Sequence, residues 1–88
     1  MIIIVTGRKD DCKAETLKWL SDNSVPHDLV FMRKSDDNRP DYIVKREIYE
    51  EYIKGKYNVK FVLDDRSQVV REWRELGLKC LQVAEGAF

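Results

Sequence analysis

Eighty-eight residues, 43% hydrophobic and 10% aromatic, read as one globular domain, residues 1–88, with a single modest core; the chain is too apolar to be disordered. Sixteen basic and sixteen acidic residues cancel, which excludes a protein that grips nucleic acid through a general basic excess and leaves only local contact or capture of a terminus. Two distant cysteines, Cys12 and Cys80, and a single histidine, His27, form no zinc pattern and read as free thiols in a reducing compartment.

Met1 leads straight into Ile2 to Thr6, an apolar strand of the kind buried in parallel sheets, which ends in Thr6-Gly7-Arg8. No basic segment or cleavage site precedes it, and no apolar run is as long as a membrane span. The expectation is a cytoplasmic chain with no membrane association. Lys9-Asp10-Asp11 opens a helical pattern in which Ala14, Leu17 and Leu20 face the core beside Trp19, and Asp22-Asn23-Ser24 with Pro26 ends it. Leu29 to Met32 is a short second strand. Arg33 to Pro40 is charged and turn-rich, the longest predicted loop, and fits a functional loop and a solvated connection equally.

Asp41 to Lys54 reads as an amphipathic helix, with Val44, Ile48 and Tyr52 in one row, Tyr49 and Ile53 beside them, and Gly55 closing it. Lys45 falls in its first turn, where the helix dipole favours anions. An anion bound there would be served by Lys45 and the free backbone N–H groups together; taken alone, Lys45 reads as a surface lysine. Val59 to Leu63 reads as a buried strand ending abruptly in Asp64-Asp65-Arg66, after which Val69, Val70, Trp73 and Leu76 recur at helical spacing until Gly77. This places the acid pair at the carboxyl edge of a sheet, where open α/β folds bind ligands. Adjacent acids there suit Mg²⁺, although either aspartate serves equally as a cap for the helix starting near Ser67. Gly77 to Val83 gives a final edge strand, and Ala84 to Phe88 a short tail.

Four strands alternating with three helices predict an α/β fold: about four parallel strands in a three-layer, Rossmann-like arrangement. On one rim such a fold collects the Thr6 hydroxyl, the Lys45 amine and the Asp64-Asp65 acids. Phosphoryl chemistry needs that set, since hydroxyl and amine hold phosphate oxygens while acids hold Mg²⁺.

Thr6 after an apolar strand, Lys45 opening a helix and Asp64-Asp65 after a later strand resemble the second, third and fourth motifs of the haloacid dehalogenase (HAD) superfamily. The likeness is closest to the phosphatase domain of phage-type polynucleotide kinase-phosphatases. It is carried by Val5-Thr6-Gly7-Arg8, Arg39-Pro40-Asp41, Val44-Lys45, Ile48-Tyr49, the run from Leu63 to Val70, Trp73-Arg74, Gly77-Leu78 and the run from Gln82 to Gly86. The resemblance spans essentially the whole chain. It implies removal of a 3′-phosphate from a polynucleotide through an aspartyl-phosphate intermediate. In that scheme Thr6 hydrogen-bonds the transferring phosphate, and Arg8 contacts the substrate phosphate or nearby nucleotide. Lys45 neutralises phosphoryl charge, Asp64 and Asp65 anchor Mg²⁺, and Arg33 and Arg39 reach the nucleic-acid end.

One departure stands out. The superfamily's first motif, Asp-x-Asp, supplies nucleophile and general acid/base, and this sequence contains no Asp-x-Asp. The kinase half's phosphate loop is absent as well. The expectation is a domain with the phosphate and Mg²⁺ half of a site, inactive alone or dependent on a partner fragment. In the family the first strand lies mid-sheet, so Ile2–Thr6 and Val59–Leu63 are expected to close up as neighbours in a four-stranded sheet. Otherwise a separate chain or second copy supplies the strand, because buried unpaired backbone groups cost on the order of 1–3 kcal/mol each. The alternative is a non-catalytic binding or interaction module that retains the HAD-like fold. A phosphoacceptor receiver domain fits less well, since there the acid pair ends the first strand, and here it comes third.

Overall fold

Apolar, largely β-branched Ile3-Ile4-Val5 starts β1 (Ile3–Lys9), which pairs in parallel with β2 (Leu29–Arg33), Ile3 opposite Leu29 and Thr6 opposite Met32. The register slips between Thr6 and Lys9. Strand β1 therefore runs three residues past its predicted end and carries Thr6 inside it. The computed structural model describes residues 1–87 and divides into two compact units, Met1–Pro40 and Asp41–Phe88. Among the described residues no helix is long and apolar enough to cross a membrane.

In the first unit a parallel pair needs a crossover, and α1 (Lys13–Asp22) supplies it. A 3₁₀ turn over Asp10–Cys12 delays the α-helix to Lys13. The buried face then falls on Thr16 and Leu20, while the predicted inward residues Ala14 and Leu17 are exposed. The phase of the helix is set by where it starts, and the short turn shifts that start. Ser24, at φ +53°, ends α1: Val25 N–H donates to the Leu20 carbonyl at 2.9 Å and Ser24 N–H to the Ser21 carbonyl at 3.1 Å, the bond pair of a Schellman cap.

The second unit opens with α2 (Asp41–Ile48) and continues as a π-helical turn, Tyr49–Ile53, closed by a Lys54 N–H bond to the Tyr49 carbonyl at 2.7 Å. One extra residue in that turn changes the inward row. Val44 and Ile48 are buried as expected, but Ile53 follows them and Tyr52 is exposed. Strand β3 is only Val62–Asp64 and pairs in parallel with β4 (Cys80–Gln82), with α3 (Ser67–Glu75) as the crossover. Val69, Val70, Trp73 and Cys80 form the core, with Tyr42, Tyr49, Val62, Leu76 and Leu78 packed against them. Gly77, at φ +85°, ends α3 with a second Schellman pair: Leu78 N–H to the Trp73 carbonyl and Gly77 N–H to the Arg74 carbonyl. The tail returns to the start of α3, where Ser67 N–H donates to the Gly86 carbonyl at 2.6 Å; Phe88 lies outside the described residues.

Two expectations need correction. The described strands form two two-stranded sheets, β1–β2 and β3–β4, so Ile2–Thr6 and Val59–Leu63 are not paired as neighbours. Each pair is closed by its own helical crossover, a short loop with a small entropy cost, and three-residue β3 offers few further ladder bonds. The strand around Leu63 is also buried on one face only. Leu63 and Leu81 sit opposite each other at 59% and 52% exposure, whereas the neighbouring pair Val62 and Cys80 belongs to the core.

Candidate functional site

Asp64 ends β3, and its carboxylate receives four N–H donors. Lys45 Nζ and Trp73 Nε1 donate to Oδ2, each at 3.2 Å; the backbone N–H groups of Asp65 and Arg66 donate to Oδ1 at 2.9 and 3.3 Å. A carboxylate offers about four lone-pair sites, so Asp64 is saturated. It organises the turn into α3, while the helix itself, with Arg66 at its cap position, has no side-chain cap. The capping alternative for the acid pair is thus not what is observed.

The Lys45 ammonium also lies 3.4 Å from Asp41 Oδ2, one helical turn earlier, and Arg66 Nη1 lies 3.5 Å from the same Asp41 oxygen. Side-chain exposures of 12% for Lys45, 12% for Asp41 and 10% for Asp64 take this group largely out of water, where charge–charge attraction is stronger. Because α2 begins at Asp41, Lys45 stands in its second turn and not beside the free N–H groups of the first. The ammonium is held between two carboxylates, and the free N–H groups of the first turn are not beside it.

Packing fixes the geometry. Tyr49, first residue of the π-helical turn, meets the Trp73 ring edge-on at 6.2 Å and 82°, an arrangement favoured by aromatic quadrupoles. The buried indole thereby keeps its N–H on Asp64. Beside Lys45, Arg46 donates to Glu50 at 2.9 Å and to largely buried Glu72 at 2.8 Å, tying α2 to α3. Those hydrogen bonds, with the acids' negative charge, raise the Arg46 pKa above its ordinary value. Burial pushes the Cys80 thiol pKa up, and the charge of Asp64 adds to the effect, so this cysteine is kept as a neutral core thiol.

Asp65 differs from its neighbour. Its side chain is exposed and makes no hydrogen bond or ion pair among the described residues, while its carbonyl accepts from Gln82 Nε2 at 3.1 Å. Mg²⁺ is commonly held by one or two carboxylates together with phosphate oxygens and water. An open carboxylate at Asp65 beside a saturated one at Asp64 fits such a partial donor set. No group of three His, Cys, Asp or Glu among the described residues would hold a metal unaided.

The other sequence candidates belong to the first unit. Thr6 Oγ1 accepts the Arg8 N–H at 3.2 Å, and the Arg8 side chain is exposed with no partner among the described residues. Arg33 bonds the Gly7 carbonyl through Nε, and the Asp37 and Arg39 carbonyls through Nη1 at 3.2 and 2.8 Å. Arg39 pairs with Asp37 at 2.8 Å. Both arginines therefore hold the 34–40 loop together. Within the second unit the structure brings Lys45 and Asp64 into contact, with Asp65 next in the chain. Sequence reasoning missed Asp41 and Trp73. An acid four residues before a lysine on a helix was the available signal for Asp41, and a tryptophan on a buried stripe, whose N–H must find an acceptor, for Trp73.

The family model described as polynucleotide kinase PNKP phosphatase domain matches residues 1–88. A protein of Autographa californica nuclear polyhedrosis virus, assigned by name as a bifunctional polynucleotide kinase/RNA ligase, is 40% identical over 77 residues, covering 86% of this chain and 11% of that protein. A chain in the Pnkp1/Rnl/Hen1 RNA repair complex superposes with a TM-score of 0.94 at 45% identity, over 98% of this chain and 28% of that one. In a second Pnkp1/Rnl/Hen1 structure the TM-score is 0.95 at 45% identity, over 98% and 30%. The chain thus spans about a tenth of the viral relative and under a third of each solved chain.

Proposed function

We propose, from the premise that this chain belongs to the polynucleotide kinase PNKP phosphatase-domain family, that it carries the phosphate- and Mg²⁺-binding half of a 3′-phosphatase site for polynucleotide ends. The observation that carries this reading is the Lys45 ammonium suspended between Asp41 and Asp64. A lysine so placed is oriented before substrate arrives and offers a fixed positive charge to phosphoryl oxygens. Asp65 would hold Mg²⁺ through its open carboxylate, and Asp64 would join it only on releasing one of its four donors; the ion when bound neutralises charge on the transferring phosphate. Thr6 donates its hydroxyl to a phosphate oxygen, and Arg8 binds the phosphate or the adjoining nucleotide. Arg33 and Arg39 contact the nucleic-acid end.

The covalent step needs a nucleophile that these 88 residues, without Asp-x-Asp, do not include. It would come from another segment or from a partner chain, which also supplies the strand bearing it; the solved relatives are themselves members of a multi-chain RNA repair complex. The test gives the chain a 3′-phosphorylated oligonucleotide and Mg²⁺. Phosphate release should be negligible for the 88 residues alone and should appear when a segment bearing Asp-x-Asp is added, then vanish with Asp64→Asn. Robust turnover by the 88 residues alone, abolished by Asp64→Asn, would overturn the half-site reading. A purely non-catalytic module would instead show no rise in Tm with Mg²⁺ and inorganic phosphate, where a folded-state site gives one that grows with occupancy.

A further inference from the structure

A groove of about 410 Å³ runs along α3, lined by Ser67, Val70, Arg71, Arg74, Glu75 and Gln82. We infer that this groove takes backbone phosphates of the polynucleotide strand leading to the 3′ end, with Arg71 as the principal contact. The inference rests on the 3′-phosphatase reading for the identity of its ligand, and on its own observations for the site.

The first observation is a contrast among the seven arginines of the chain. Arg33, Arg39, Arg46, Arg66 and Arg74 each hold a carbonyl or a carboxylate. Arg8 and Arg71 alone make no side-chain hydrogen bond or ion pair among the described residues. Arg8 follows Thr6 and already has a phosphate to bind in the proposed site. Arg71 stands in the groove with five N–H donors unspent.

Position and chemistry supply the rest. Gln82 Nε2 donates both to the Asp65 carbonyl, 3.1 Å, and to Ser67 Oγ, 3.0 Å, so the groove begins at the residue beside the open acid. Ser67, accepting that bond, keeps its hydroxyl proton to donate. Arg74 holds the Cys80 carbonyl through Nε and Nη2 and keeps Nη1 for a ligand. Against two guanidiniums the groove has one acid, Glu75, so it is locally positive in a chain whose charges cancel. From Ser67 to Glu75 the helix advances about 12 Å, enough for a strand to lie along it rather than a single ion. Guanidinium, hydroxyl and amide donors in a row suit the non-bridging oxygens of successive phosphates.

Binding of a short single-stranded 3′-phosphorylated oligonucleotide and of the corresponding 3′-phosphorylated mononucleotide, each with Mg²⁺, decides the matter. Arg71→Ala should weaken the oligonucleotide about 3- to 10-fold and reduce the log–log salt slope by about 0.7, the share of one phosphate on a single strand. The mononucleotide should be unaffected, and Arg71→Lys should recover most of the loss. Unchanged oligonucleotide affinity and slope in Arg71→Ala, or a wild-type chain that binds the oligonucleotide no tighter than the mononucleotide, overturns the groove. Lys45→Ala separates the two readings. If it abolishes mononucleotide binding while Arg71→Ala is silent, the phosphatase reading survives and the groove falls. If the mononucleotide does not bind at all but Arg71→Ala weakens the oligonucleotide, the groove stands and the phosphatase reading falls.

Discussion

In Met1–Pro40, helix α1 turns only Thr16 and Leu20 inward and leaves Leu17 and Trp19 exposed, and the strands it connects are half-buried. In Asp41–Phe88, Val44, Ile48, Ile53, Val69, Val70, Trp73 and Cys80 are all buried. The charged groups follow the same division. The second unit keeps Asp41, Lys45, Asp64 and Glu72 largely out of water, each with a partner. The first unit's charged side chains bond backbone carbonyls and loop neighbours near the surface, as Arg33 and Arg39 do. A dry core does more than stabilise: it fixes the aromatic ring and helix pair that aim charges at one another. The unit with the better core is also the one in which a preorganised cluster exists.

The largest test of that contrast is Trp73→Ala, which opens the second unit's core and removes a donor from Asp64. It should cost about 3–5 kcal/mol in urea unfolding, while Leu20→Ala in the first unit should cost about 2 kcal/mol, because it removes a smaller buried side chain with fewer buried neighbours around it. Equal losses would dissolve the distinction. Next, Arg46→Ala strips the partner from buried Glu72 and should lower stability by less than Trp73→Ala does, with Lys45 less firmly placed; a loss within measurement error would show that Glu72 finds another donor.

The first unit can be tightened instead. The Thr16 hydroxyl is buried with no hydrogen-bond partner among the described residues, so Thr16→Val, of similar shape, should raise stability by about 1 kcal/mol. A drop on that substitution would mean the hydroxyl is satisfied in solution. The smallest effect concerns Asp37, whose carboxyl pKa is held well below the usual range by hydrogen bonds from the Arg39 guanidinium and backbone N–H, with the positive charges of Arg39 and Arg33 adding. A lowered folded-state pKa contributes stability above the ordinary carboxylate value, and that contribution is lost as pH falls through the lowered one. Wild type should therefore exceed Asp37→Asn slightly at neutral pH, and the gap should narrow below about pH 4. A gap that widens on acidification would reverse the assignment.

Much of this molecule was legible in its residues. The order of strands and helices, the stop at Gly77, Asp64 at a strand end and the family likeness all follow from local signals, because neighbours along the chain decide turns, caps and periodicity. The tertiary structure alone decided the rest. It set the phase of α1, exchanged Ile53 for Tyr52 through one π-helical turn, divided the strands into two pairs, and put Lys45 between Asp41 and Asp64, the latter also bonded by the Trp73 indole N–H. Each of those depends on distance through space, where a one-residue shift of phase or a helix packed differently changes which groups meet. Composition and spacing contain no record of that distance.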